Sequence, residues 1–478
     1  MGRRGRRRRR RPRWPIALLA AALTVSSIIA LFGVVALRRS AQRPPVAAPG
    51  AASVVTPLRV EWAEEPDTWP RWGLTHTQYT AADDFGDRAV SSLAAARVVQ
   101  NQHIMGFGAG NPEPRPGEYD FSSLDERVRL IAETGGVPVI TLCCAPDWMK
   151  GGRPGTTDWS LLEIAPRREH FDDFARLAAA VARRYPQVRH FIVWNEFKGF
   201  WDQRRGEWDA VAYTELYNRV YDALKEVDPR IRVGGPYMPV DSYAGEPPVP
   251  SEVSGPWGTV DGRVLKAIDY WLRHKRGADF IVVDGGSLTA EGELRPDEFG
   301  ALGKFGAMTR WLRERSGLPV WWAEFYPLPC ASLEGGACPA LGWPERRRLA
   351  VTAAALIELA ESGAATVLHW DGYAPRRVRE GCPFCLISNE TGEASATLRL
   401  LQRFAQWFPH GTEPVPVALT APDGRPFPPG RAPVRALAQE RRMVLVNTTG
   451  TARTVLADGT PVALGPYEVR WLPRAPDR

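Results

Sequence analysis

Surplus charge is scarce in this chain once its first thirteen residues are set aside. The 478 residues carry a net charge of +7, and nine arginines fall between Arg3 and Arg13, so the remainder is close to neutral. That removes the electrostatic case for a nucleic-acid partner. No stretch shows metal-ligand or cofactor-binding spacing, and neither a metal nor an organic cofactor is expected. Cysteine is sparse, at six residues. Cys143 and Cys144 end a strand-like run, one expected to point inward and one outward, with no histidine near them in sequence to support thiol chemistry. Cys330 with Cys338, and Cys382 with Cys385, read as local disulfides, because a C-x7-C spacing is poor for zinc. The disordered class is excluded as well, since 44% of residues are hydrophobic and only 24% charged.

Charge is missing altogether from Pro15 to Leu37, a stretch of 23 mostly apolar residues. At 1.5 Å per residue that suffices to cross a bilayer core of about 30 Å. The basic segment 1–14 is expected in the cytoplasm, residues 15–37 as a transmembrane signal-anchor, and the rest of the chain outside. A cleaved signal peptide is the rival, but its apolar core usually runs about 7–15 residues. Arg38 and Arg39 also follow at once, without a small-residue cleavage site. Residues 38–57, rich in Ala and Pro, read as a tether.

From Trp72 the chain alternates strand-like and helix-like segments, which marks a parallel α/β architecture. Strands are expected near 72–75, 98–104, 137–142, 191–194, 231–234, 280–283, 320–323 and 366–369. Eight of them, with amphipathic stretches such as 124–133, 167–185, 213–227, 298–316 and 345–362 between, predict a closed (β/α)8 barrel over 58–410. Residues 411–478 break into short alternating runs separated by turns such as Asp423-Gly424 and Asp458-Gly459. They predict a small C-terminal antiparallel β-domain, to which Pro57–Ala63 is a candidate extra strand.

Two of the barrel runs end in a glutamate. Phe191-Ile192-Val193-Trp194 leads into Asn195-Glu196, and Val320-Trp321-Trp322-Ala323 leads into Glu324. Strand ends of this kind lie at the C-terminal mouth, where barrels keep their chemistry. A pair of carboxylates there suits hydrolysis of a glycosidic bond, one as acid/base and one as nucleophile. With Trp194-Asn195-Glu196 and Trp322-Ala323-Glu324 about 130 residues apart, the chain resembles the clan of retaining (β/α)8 glycosidases. It looks most like glycoside hydrolase family 39, the β-xylosidase and α-iduronidase-like group with relatives in bacterial exopolysaccharide processing. The resemblance covers roughly 72–472 and implies a carbohydrate substrate, with Glu196 as acid/base, Glu324 as nucleophile and Asn195 on the sugar 2-hydroxyl.

The sixth strand departs from the clan. It ends Val283-Asp284-Gly285-Gly286, with no His or Tyr to steady the nucleophile, a role then expected of Tyr326. Further sugar contacts are expected from His76, Gln102 and His103, which have mutual packing in the barrel core as their alternative, and from Trp148 as a wall of the pocket. Trp370 and Asp371 end the eighth strand, where clan members often place a stacking aromatic. Two other readings share these residues. One is a degenerate barrel that binds polysaccharide in envelope assembly without cleaving it; the other is a transglycosylase.

Overall fold

Runs rich in β-branched and aromatic residues form the predicted strands and close on themselves. In the computed structural model, which describes residues 55–474 apart from 65–67, 96, 331–337, 371 and 429, the barrel is built from eight parallel strands. These are β1 (Trp72–Thr75), β2 (Val99–His103), β3 (Val137–Leu142), β4 (His190–Val193), β5 (Arg232–Pro239), β6 (Phe280–Gly286), β7 (Val320–Tyr326) and β8 (Thr366–Trp370). Each pairs with the next in sequence, and β8 returns to β1 through Thr75 opposite Trp370. Helices on the outer face bury apolar stripes against the strands; Phe171–Arg184, for example, buries Phe174, Leu177, Ala178 and Val181. The transmembrane expectation for 15–37 lies outside the described residues, and among those described no helix is long and apolar enough to cross a membrane.

The barrel interior is a filled core. Val99, Val139, Ile192, Val282, Ala323 and Leu368 meet inside it. At its N-terminal end Trp321 stacks on Phe280 at 4.0 Å and on Trp69 at 5.3 Å. Residues 419–473 form two three-stranded antiparallel sheets. One of their hairpins turns at Asp458 and Gly459, both with positive φ, as a two-residue turn of this twist requires. Its second strand, Thr460–Leu464, is an addition to the predicted set. Pro57–Ala63 does not extend these sheets. Leu58 N–H instead donates to the Arg184 carbonyl at 2.7 Å, which ties this segment to the end of a barrel helix.

All six cysteines are bonded, and none is free. Cys330–Cys338 and Cys382–Cys385 pair as expected. Cys143 and Cys144 are joined to each other, which corrects the expectation that one points inward and the other outward.

Gly73 shows how closely the strands approach. A Cβ there would lie 2.0 Å from the Val99 carbonyl oxygen, a backbone atom fixed by pairing on both sides of β2. Gly73→Ala is therefore expected to destabilise the barrel by about 1–3 kcal/mol, as overpacking does. The urea midpoint measures this, and an unchanged midpoint would show that β1 and β2 can part.

Candidate active site

The β4 strand stops at Val193, and the chain then takes a strained course. Trp194, Glu196 and Phe197 have φ of 68°, 45° and 52°. Bulky residues rarely adopt the left-handed region, and where they do the surroundings must hold them. Here Trp194 N–H donates to the Leu142 carbonyl at 3.1 Å, its indole N–H to the Lys198 carbonyl at 2.7 Å, and Phe197 stacks on Tyr213 at 4.1 Å. The result aims Glu196 across the mouth.

Strand alternation alone would put Trp321 and Ala323 inside the barrel and Glu324 outside. The β6–β7 register, however, passes from Val283 opposite Trp322 to Asp284 opposite Glu324, so one extra residue on β7 turns Glu324 inward. A second such irregularity lies between β5 and β6, where Val282 faces Pro236 and Val283 faces Met238. The residue skipped is Tyr237, with φ of 57°, and its hydroxyl donates to Glu324 Oε1 at 2.5 Å.

Three carboxyl groups converge as a result. Glu196, Asp284 and Glu324 each offer an oxygen within 4.8 Å of the others. Tyr326 donates its hydroxyl to Asp284 Oδ2 at 3.1 Å. Lys198 Nζ lies 2.6 Å from Glu196 Oε2 and also pairs with Glu163. Burial raises the Glu324 carboxyl well above the usual range, and the Glu196 charge adds to this; the Tyr237 hydroxyl and Lys198 pull the other way. Burial, then the charges of Glu196 and Glu324, raises Asp284 in the same direction. Among the described residues this cluster is the group with the reach to hold a metal ion, but Lys198 already places a positive charge against it.

The expected sugar-contact residues divide. Asn195 and His103 are brought to the carboxylates: Asn195 Oδ1 lies 3.3 Å from His103 Nε2, and Asn195 Nδ2 donates to Glu196 Oε2 at 3.5 Å. Burial pushes His103 down to about 4, so its ring is neutral at pH 7. Gln102 is a correction. Neighbours on a strand face opposite sides, and with His103 inside, Gln102 points outward and bonds the His103 and Phe107 carbonyls. His76 is also on the outer side, where it bonds Gln100, itself tied to Thr134 on the helix after β2. Trp148 donates to the Glu113 carbonyl at 2.9 Å and packs edge-on against His170, joining two loops. Trp370 meets Phe107 edge-to-face at 6.1 Å at the mouth. Asp371 lies outside the described residues.

Steadying Glu324 falls to Tyr237 and not to Tyr326, whose hydroxyl serves Asp284. Sequence reading ended the fifth strand at Gly234, so Tyr237 was passed over. Its signal is a tyrosine three residues beyond a strand-like run, just after Gly235-Pro236. Lys198 was missed because nothing in Glu-Phe-Lys shows that the chain folds back there. In Tyr237→Phe, Glu324 loses the hydroxyl that favours its anion and is expected to take up its proton at a higher pH than in the parent. Titration of carbon-13-labelled carboxyls measures this, and a midpoint that stays or falls would refute the assignment.

The model of Glycosyl hydrolases family 39 matches residues 111–278, the part that holds Glu196 and Tyr237. That of the D-apionate lactonase C-terminal immunoglobulin-like domain matches 431–472, within the terminal sheets. No curated protein sequence matches the chain. Among solved structures, the family 39 enzyme from Xanthomonas axonopodis pv. citri is similar with a TM-score of 0.50 at 17% identity, covering 79% of this chain and 71% of its own. The bacterial orthologue of human α-L-iduronidase is similar with a TM-score of 0.52 at 13% identity, covering 82% of this chain and 65% of its own. At such identities the likeness speaks for the fold alone. With the barrel and the family match together, the chain is a glycoside hydrolase that resembles family 39.

Proposed function

We propose that the chain hydrolyses O-glycosidic bonds of an extracytoplasmic oligo- or polysaccharide by double displacement, with retention at the anomeric carbon. One observation carries the reading: oxygens of Glu196 and Glu324 lie within 4.8 Å of each other. Retaining glycosidases hold their carboxyl groups about 5–5.5 Å apart, whereas inverting ones leave roughly 6.5–9.5 Å for a water. Glu324 attacks the anomeric carbon while Glu196 protonates the departing oxygen. Water then cleaves the glycosyl ester, with Glu196 as base. In this reading Asn195, hydrogen-bonded to His103, contacts the sugar 2-hydroxyl, and Trp370 stacks on the ring. The arginine block before the apolar stretch 15–37 favours a membrane-anchored barrel facing outward, and three disulfides suit an oxidising compartment.

Glu324→Gln is expected to abolish turnover of every glycoside. Glu196→Ala is expected to keep the first step on aryl glycosides with good leaving groups, accumulate the glycosyl-enzyme and recover turnover with azide. The azide product should retain anomeric configuration; an inverted product would exchange the two roles. For topology, a C-terminal reporter is expected to be active outside the cytoplasm with the full-length protein in the membrane fraction. Release after loss of the first 40 to 50 residues would replace the anchor with a cleaved signal.

A further inference from the structure

Double displacement as written gives Asp284 no part, yet Asp284 is among the most enclosed side chains of the site, at 1% exposure. Its Oδ2 accepts the Tyr326 hydroxyl. Its Oδ1 is buried with no donor directed at it. A carboxylate oxygen stripped of water and left so is costly. The Asp284 carboxyl also lies against that of Glu196, with an oxygen of each within 4.8 Å of the other. Ionised carboxylates only accept hydrogen bonds, so neither can answer the other at this range unless one carries a proton.

Charge leads to the same place. Three carboxyl groups share a space of under 5 Å with one contacting ammonium, Lys198, which also serves Glu163. Lys304 feels the charge of Asp241 first and that of Asp284 second, and its ammonium is bonded to Ser242 Oγ and the Leu288 carbonyl. Like charges this close and shut off from water repel, and a proton on one of the carboxyls relieves that repulsion. Glu196 has the ion pair with Lys198, and Glu324 has the hydroxyl of Tyr237. Asp284 has neither a direct cation nor a second donor.

We propose that Asp284 holds, in the resting site, the proton that Glu196 delivers to the leaving oxygen. The inference rests on the hydrolase reading above. In the first half-reaction a Glu324 oxygen bonds to the anomeric carbon and the bond to the leaving oxygen breaks. That oxygen takes a proton from Glu196, which is replenished from Asp284. Glu324 loses its charge in the ester as Asp284 acquires one, so the total charge of the cluster does not change. In the second half-reaction water bonds to the anomeric carbon, its proton passes through Glu196 back to Asp284, and Glu324 leaves as carboxylate. Asp284 acts through Glu196 and is a positioning residue. Burial together with the facing charges of Glu196, Glu324 and Asp241 supports its hold on the proton.

The test compares Asp284→Asn, equal in size but unable to pass on a proton, with Asp284→Glu, which is able to. Aryl glycosides of graded leaving-group acidity are the probes. In Asp284→Asn, kcat/KM for phenyl and alkyl glycosides is expected to fall roughly 10²–10³-fold and that for dinitrophenyl glycosides by less than about threefold, since a good leaving group needs little acid help. Asp284→Glu is expected to recover part of the loss. An equal fall for all leaving groups, or none for any, overturns the proposal. Infrared difference spectra at pH 7 give a readout that needs no turnover: the parent is expected to show a protonated-carboxyl band that Asp284→Asn lacks. Persistence of that band would place the proton elsewhere. A parent that cleaves no glycoside would sink the hydrolase reading, while the infrared result would still decide where the proton lies.

Discussion

The site depends on two faults in the register of a parallel barrel. In a regular pleat every second side chain of β5, β6 and β7 would enter the interior, and these positions are mostly apolar. An extra residue at Tyr237 and another beside Glu324 break that phase on either side of β6. The fault on β7 turns Glu324 inward, and the one on β5 sets Tyr237 against it, with the unshifted Asp284 between. A bulge costs ladder pairing and local strain, and barrels keep such bulges where a side chain must be re-aimed. Here the gain is a nucleophile candidate gripped from the side by a phenol.

Placing carboxylates in such a space is expensive unless something answers their charge. The structure answers it unevenly. Lys198 reaches Glu196 from the loop after β4, which the strained turn at Trp194 to Phe197 folds back over the mouth. The tyrosines on β5 and β7 supply hydroxyls to Glu324 and Asp284. The cluster is therefore bound up with its own backbone: relaxing the left-handed residues would withdraw both Glu196 and the lysine that balances it.

Much of this was legible in the sequence and some was not. Most strands buried on both faces write themselves as continuous apolar runs, the second being the exception, and the glutamates stood out where two of those runs ended. Residue-level roles were harder. Gln100-Asn101-Gln102-His103 is polar at every position, and a strand without an apolar face gives no phase, so Gln102 and His103 looked equivalent until the pleat separated them. Gly234-Gly235-Pro236 looked like the end of a strand although the backbone continues through it, and Tyr237 was lost with it. The sixth strand looked deficient because its missing partner for the nucleophile comes from the fifth. His76 and Trp148 stand among polar and aromatic neighbours in sequence, but their hydrogen bonds tie loops and helices and do not face the carboxylates.

The aromatic floor formed by Trp69, Phe280 and Trp321 has a consequence for traffic. A barrel stoppered from below has one doorway, so sugar, departing alcohol and hydrolytic water all use the same opening. Under the proposed double displacement, the alcohol would have to leave before water could take its place beside Glu196. In that mechanism, how long the first product lingered in the doorway would set whether a second sugar or water reached the glycosyl-enzyme first.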